Sequence, residues 1–417
     1  MDFTTNTVCV VDNGIFAEVA RSLSKRFGKV YYTSPWVADF PSSYKTELGE
    51  GFPDFERVDD IWDIIDDVDL FVFTDLHQGT LQEYLASKGK RVFGSRNADE
   101  LECYRTDAKE HFAGLSIPQA PYVVVTGMSA LRKYIKSRGN TKLWIKIDKT
   151  RGDTETFSVE GYDLAKNRLD FMEAEFGPIA EQRDFVVEDN LPDTLDIAID
   201  TYSIDGKYPA MAMLGVEQKD MGYVGAVKPW AAMPPTLVDI YEKLSPTLES
   251  YQYRNLFALE SRVGKGGLWL ADPCCRFGSP VSELELDLIT NLPEIMWEGA
   301  NGMLVEPIYK AKYGCEVLIK SQWSPEKPML IEFPAEYRNQ VKLRYAAQFG
   351  NETWILPQNS GEEVGAVVAY GSSLEDCMEE VSEIGKQIKG TQLTVTTGSM
   401  DDLKENLKDL ASWGIDF

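Results

Sequence analysis

Histidine is almost missing from this chain. His77 and His111 are the only two in 417 residues, so a Ser–His or Cys–His pair, or a metal site built on imidazoles, has little to draw on. The six cysteines (Cys9, Cys103, Cys274, Cys275, Cys315 and Cys377) are scattered. They lack the spacing of a zinc site or a disulfide framework, and the chain reads as cytoplasmic with reduced thiols. No run approaches the ~20 apolar residues of a membrane-spanning helix. The N-terminus has neither the basic nor the long apolar region of a signal peptide, so no membrane partner is expected. Positive charge is scarce too. Against 67 Asp and Glu stand 42 Lys and Arg, a formal net charge of -25. That argues against a broad nucleic-acid surface while leaving room for a small basic pocket for phosphates. The first turn reads Asp12-Asn13-Gly14 instead of G-x-G-x-x-G, which counts against a dinucleotide-dependent oxidoreductase.

What the chain does have is a core. Hydrophobic residues make up 43% of it, as in globular proteins, and its length suits two to four domains. Apolar strands at 8–11, 29–33, 69–74 and 91–93 alternate with helical periodicity at 15–27 and 80–87. That order predicts a parallel sheet flanked by helices over roughly residues 1–95. One long helix is expected over 97–114, with Arg105 and Lys109 four apart on one face. Strands at 122–125 and 143–147 follow, separated by a helix at 129–136. Lys146 sits between Ile145 and Ile147; a lysine there is most often an edge position whose amine reaches water. The polar loop 148–155 leads to a helix at 163–176 and to a strand, 185–188, ending on Glu188. Alternation over 195–204 and an Asp-Gly turn predict antiparallel pairing, then a loop at 217–225 (EQKDMGYVG) and a helix at 235–249. A helix at 286–297 comes next. The last unit has strands near 316–320, 342–349 and 364–369, and helices at 374–388 and 400–410. The candidate domains are 1–114, 115–309 and 310–417.

The chemistry concentrates in 268–280, LWLADPCCRFGSP. If the strand runs through Pro273, alternation puts Asp272, Cys274 and Arg276 on one face. Glu260 ends a second apolar stretch twelve residues earlier. A Gly-rich link at 263–267 would fold the two into a hairpin and bring Glu260 beside Asp272. Two acids and an arginine on one sheet face suit Mg²⁺ and a phosphate. A surface hairpin with solvated charges is the plainer alternative, and Cys274 and Cys275 also suit packing as small apolar groups.

Taken together, a βαβ unit, a lysine in a strand, a Gly-containing loop, a strand ending in acids and an acid hairpin closing on Arg resemble the ATP-grasp superfamily. Within it the chain looks most like phosphoribosylamine–glycine ligase. The most specific match is Arg276-Phe277-Gly278-x-Pro280, similar to the end of that family's E-F-N-x-R-F-G-D-P-E segment. Residues 92–101 (VFGSRNADEL) and 365–380 are similar as well. The resemblance implies three parts: an N-terminal parallel α/β domain, a central ATP-grasp domain and a small C-terminal α+β domain. It implies an ATP-dependent carboxylate–amine ligase that makes an amide through an acyl phosphate, using ATP with Mg²⁺ or Mn²⁺ and small-molecule acid and amine substrates. By position, Arg105 and Lys146 match the basic residues on the ATP phosphates, with Lys109 a second candidate for the first role. Arg151 and Gly152 fall in the phosphate loop. Glu188 matches the adenine edge. Asp196 matches the acid on the ribose, with Asp200 a rival. Glu260, Asp272 and Cys274 match metal positions, Asp272 and Cys274 standing where the family has Glu and Asn. Arg276 and Lys146 would be catalytic. Asp220, Gly222 and Gly225 fall where substrate is met, and His77, which follows a strand end (TDLHQG) where a crevice would open, is a further candidate for a substrate contact. Nucleotide binding without ligase chemistry is the alternative that the Cys274 change raises.

Overall fold

The computed structural model describes residues 1–34, 47–149, 156–357 and 361–417. Arg151 and Gly152 lie outside them. The first expected unit forms as a parallel sheet. Its strands are β1 (Phe3–Val11), β2 (Phe27–Thr33), β3 (Glu56–Arg57), β4 (Leu70–Phe73) and β5 (Arg91–Phe93), in the order β3-β2-β1-β4-β5. Residues 8–11 and 70–73 are buried throughout, as expected of central strands covered on both faces. Helices α1 (Ala17–Leu23) and α2 (Gly79–Ser87) connect them. The carboxyl ends of β1 and β4 carry Asp12-Asn13 and Asp75-Leu76-His77, at the edge where crevices open in such sheets.

The long helix expected over 97–114 is broken. A 3₁₀ turn (Arg96–Asp99) leads into α3 (Glu100–Cys103), and α4 (Arg105–Gly114) starts afresh. Tyr104 leaves helical geometry at φ −93°, ψ 71°. The Cys103 carbonyl is thereby freed and accepts a hydrogen bond from the Lys149 amide at 3.0 Å. The break ties the end of the first unit to the next.

That next unit is a small antiparallel sheet. Strands β6 (Tyr122–Thr126), β7 (Lys142–Ile147), β8 (Thr156–Glu160) and β9 (Asp184–Asp189) lie in the order β6-β9-β7-β8, with α5 (Met128–Ser137) and α6 (Tyr162–Phe176) packed on it. Strand β7 is interior, not an edge, and Lys146 is buried.

The rest is organised by one large sheet. Its first strands are β10 (Leu195–Ile204), β11 (Met211–Gln218) and β12 (Gly222–Pro229); after α7 (Pro235–Ser250) come β13 (Arg254–Gly264) and β14 (Gly267–Cys274). Helices α8 (Ser282–Leu288) and α9 (Leu292–Ala300) follow. Then come β15 (Tyr313–Ser321), β16 (Met329–Ile331), β17 (Val341–Leu343), β18 (Ala346–Phe349), β19 (Glu352–Ile355), β20 (Glu363–Gly371), α10 (Leu374–Gly385), β21 (Leu393–Val395) and α11 (Ser399–Ser412). The sheet order is β14-β13-β10-β11-β12-β15-β20-β17, with β21 on β15; β16, β19 and β18 form a separate small sheet. Strand β15 pairs with β12, so pairing runs across residues 309–310.

Three expectations fail here for local reasons. Residues 217–225 are mostly strand, not loop, and only 219–221 turn the chain. Glycines usually mark loops, but these fit a sheet because neighbours crowd their open sides. The helix expected at 286–297 is two helices, since Pro293 opens α9 and cannot continue α8. The strand expected at 342–349 splits at Tyr345, which takes φ 54° and donates its amide to the Gly14 carbonyl at 2.6 Å.

Candidate active site

The β13–β14 hairpin forms with Lys265-Gly266 at its tip, and Glu260 pairs directly with Asp272 across it. Directly paired residues share a face, with Cβ atoms ~5 Å apart. Pro273 is tolerated because β14 is an edge strand. The strand ends at Cys274, so Arg276 belongs to the turn beyond it.

The sheet register carries this face further. Asp196 on β10 pairs with Arg262 on one side and Glu217 on the other, and Glu217 pairs with Tyr223. The next row holds Ala198, Gly215 and Gly225; the third holds Asp200 opposite Met213. Small residues in the middle row leave a trough between charged ones.

Over the Asp272 end stand three buried cations, Arg105, Lys109 and Lys146. Lys146 Nζ lies 2.7 Å from Asp272 Oδ2, 3.3 Å from Glu188 Oε2 and 3.0 Å from the Ala271 carbonyl. Lys109 Nζ is 2.5 Å from Glu188 Oε1. Arg105 donates to the Ile147 carbonyl at 2.8 Å. Burial works against the charge on Lys146, but Asp272 and Glu188 more than offset it and hold its pKa above the usual value. Burial and the Lys146 charge lower that of Lys109. Asp272 is held below the usual carboxylate range: burial opposes, but Lys146, Arg105 and Lys109 prevail. Three cations thus gather beside Asp272 and Glu188.

Arg276 is placed by a residue that sequence reasoning missed. Glu102 on α3 accepts Arg276 Nε at 2.9 Å through one oxygen and the Cys275 amide at 2.9 Å through the other. Asp75, from the carboxyl end of β4, lies 3.8 Å from the same Nε.

The chain can now be set beside solved structures. No protein-family model matches its sequence, and no curated protein is similar to it by sequence. Its fold matches phosphoribosylamine–glycine ligase from Thermotoga maritima at 15% identity and TM-score 0.68, over 93% of this chain and 98% of that one. It matches biotin carboxylase from Campylobacter jejuni at 14% identity and TM-score 0.67, over 99% and 97%. It also matches N5-carboxyaminoimidazole synthetase from Staphylococcus aureus, solved with ADP, at 10% identity and TM-score 0.61, over 92% and 97%. The fold is ATP-grasp. Lys146 of the small sheet meets Asp272 of the large one, and α4 brings Arg105 and Lys109 to the same place.

The donor set suits a hard divalent cation in part. Glu260 and Asp272 offer carboxylate oxygens from paired positions. Mg²⁺ is commonly bound by one or two carboxylates plus substrate phosphates, not by an all-protein cage. Cys274 suits it poorly: burial pushes its thiol pKa well up, and a neutral thiol is a poor ligand for a hard ion. Among the described residues no three His, Cys, Asp or Glu side chains converge on one metal position. Lys219 lies 3.6 Å from Glu260 Oε2 at the rim.

The remaining residues singled out from the sequence lie apart: His77 in the parallel unit, the others on the large sheet. Asp196 is paired with Arg262 at 2.5 Å. Asp220 is exposed in the β11–β12 turn at φ 58°. Gly222 has its open side against Ser399 and Met400 of α11. Gly225 lies under Met213 and Tyr223. His77, at φ 69°, has Nδ1 3.8 Å from Cys103 Sγ and donates its amide to Asp99 at 3.0 Å.

Asp200 does not stand free. The Tyr223 hydroxyl donates to its Oδ2 at 2.5 Å, lying across Gly215. A Cβ on Gly215 would sit 2.2 Å from that oxygen and 2.4 Å from the hydroxyl. Gly215→Ala is therefore expected to break the pair and cost ~1–3 kcal/mol, the usual range for overpacking, read as a lower urea midpoint. Burial raises the pKa of Asp200 to about 7, with the Tyr223 bond opposing. The group is protonated more readily folded than unfolded. Its contribution is full below the unfolded value of 3.8 and lost as pH rises through about 7. Between pH 4 and 7 the wild type should lose up to roughly 4 kcal/mol relative to Asp200→Asn. Urea denaturation at several pH values checks this; parallel curves would contradict it.

Proposed function

We propose that this protein is an ATP-dependent carboxylate–amine ligase that makes an amide through an acyl phosphate. The observation that carries the reading is the gathering of Lys146, Arg105 and Lys109 around Asp272, which pairs with Glu260 across the hairpin. In-line transfer of a γ-phosphoryl group calls for positive charge around the phosphates and little else from the protein. Lys146 and Arg105 would neutralise the phosphates, and Lys109 would share that task while orienting Glu188. Arg276, fixed by Glu102, would meet the substrate carboxylate as it attacks. An amine would then displace phosphate from the acyl phosphate. Glu260 and Asp272 would hold Mg²⁺ or Mn²⁺, which when bound stabilises charge on the transferring group. No protein nucleophile is required, in keeping with the scarcity of histidine. Positioning and exclusion of water carry the rate.

The test is a screen of acids with amines under ATP and Mg²⁺, read as ADP release that requires both partners. A combination giving ADP and an amide supports the reading. Nucleotide binding with no ADP release in any combination favours the second reading, nucleotide binding without ligase chemistry, which Cys274 motivates.

A further inference from the structure

Beyond Glu260 the trough deepens into a recess floored by the small middle row and roofed by residues 278–281 and α8. Its charged lining is one-sided. Asp196, Asp200, Glu217, Glu260 and Glu285 border it, against Arg276 alone, and Arg276 is engaged by Glu102 and Asp75. Asp196 and Glu217 have cationic neighbours at the rim in Arg262 and Lys219. Asp200 and Glu285, at the inner end, have none among the described residues.

Glu285 is the informative member. It is 2% exposed, lines the recess, and its side chain makes no hydrogen bond or ion pair among the described residues. A buried carboxyl without a partner is costly, and here nothing in its surroundings lowers that cost. Burial, then Asp200 and Glu316, push its pKa well up. Asp200 is 5% exposed and oriented by Tyr223, which Gly215 admits. The recess opens onto Glu260, Cys274 and Arg276, so an occupant would reach the proposed phosphoryl-transfer centre.

We propose that this recess takes the amine substrate as an organic cation, with Asp200 and Glu285 holding an ammonium or guanidinium group of it. The inference rests on the ligase reading and names the substrate class for that site. An ammonium or guanidinium supplies several N–H donors and a positive charge, which is what two inward carboxyls lack. A neutral isostere would leave Glu285 unpaired and Asp200 with Tyr223 alone, the kind of mismatch that polar sites reject strongly.

The test is calorimetric titration of the full chain, with MgADP present, using putrescine, agmatine, L-lysine and L-arginine. The counterparts that lack the terminal or side-chain cation are 1,4-butanediol for putrescine, L-norleucine for L-lysine and L-citrulline for L-arginine, with agmatine a second guanidinium. MgADP affinity is measured in the same samples. At least one cation should bind saturably, and about tenfold or more tighter than its counterpart. Glu285→Gln should weaken that cation roughly tenfold or more while leaving MgADP affinity unchanged. Asp200→Asn provides a second variant at the same site, and melting curves confirm folding of both. MgADP binding with no preference for any cation overturns the inference and leaves the ligase reading standing. A cation whose affinity ignores Glu285→Gln and Asp200→Asn also overturns it, as does Mg²⁺ alone competing at Glu285. Loss of MgADP binding in the wild type would fell the ligase reading and this inference with it.

Discussion

Lys146→Met is expected to lower ADP-forming turnover by ~10²–10³-fold, the usual effect of removing one group that stabilises charge in a transition state. The side chains are close in volume, so packing in β7 should hold. What is lost is an ammonium that touches both Glu188 and Asp272. Asp272 would regain a higher pKa, and the phosphates would lose a buried cation. The kinetic signature should be a fall in kcat together with weaker ATP binding, because in the proposed ligase Lys146 would meet the phosphates before and during transfer. Single-turnover ADP release separates the two. An unchanged rate would remove Lys146 from the chemistry and leave it as a strut between two sheets.

The second large effect is on stability. Arg344 is 2% exposed and follows β17. Its Nε lies 2.7 Å from Glu283 on α8, its Nη1 2.7 Å from Glu363 on β20, and its Nη2 3.8 Å from Glu316 on β15. Glu283 and Glu316 are themselves buried. Breaking such a network by removing one partner typically costs ~3–5 kcal/mol, because the others are left charged in a poor solvent. Arg344→Met should therefore lower the urea midpoint sharply at pH 7. The loss should be smaller at pH 5, where Glu316, whose pKa burial and Glu283 push well up, is more readily neutral in either protein. A midpoint equal to that of wild type would mean that the carboxylates find water or other partners.

How much of this was legible in the sequence depended on distance along the chain. The Glu260–Asp272 pair could be read because a short Gly-rich link fixes hairpin register, and register fixes which side chains meet. The parallel unit could be read because its two central strands carry the apolar runs 8–11 and 70–73. Lys146 could be seen inside a strand, but its burial could not, since whether β7 is interior depends on β8 and β9 pairing on either side. Glu102 was hidden in a stretch read as one continuous helix; the break at Tyr104 is a tertiary effect anchored by the Lys149 amide. Glu285 was the least legible. It lies just ahead of the helix expected at 286–297, and only the roof that α8 makes over the large sheet turns that carboxyl inward. Tyr223 sat in a stretch whose glycines suggested a loop, whereas Gly215 and Gly225 serve as close-approach points under its ring. Networks such as that of Arg344 join elements ~20–60 residues apart, and no local pattern encodes them.

The measurement that tests the central claim most directly is calorimetric titration of ATP and of ADP, each with and without Mg²⁺, into the wild type and the Glu260→Ala/Asp272→Ala variant. The gathered cations and paired acids predict nucleotide binding that Mg²⁺ strengthens in the wild type, with that strengthening lost in the variant. Nucleotide affinity indifferent to Mg²⁺ in both proteins, or no binding at all, would contradict the account.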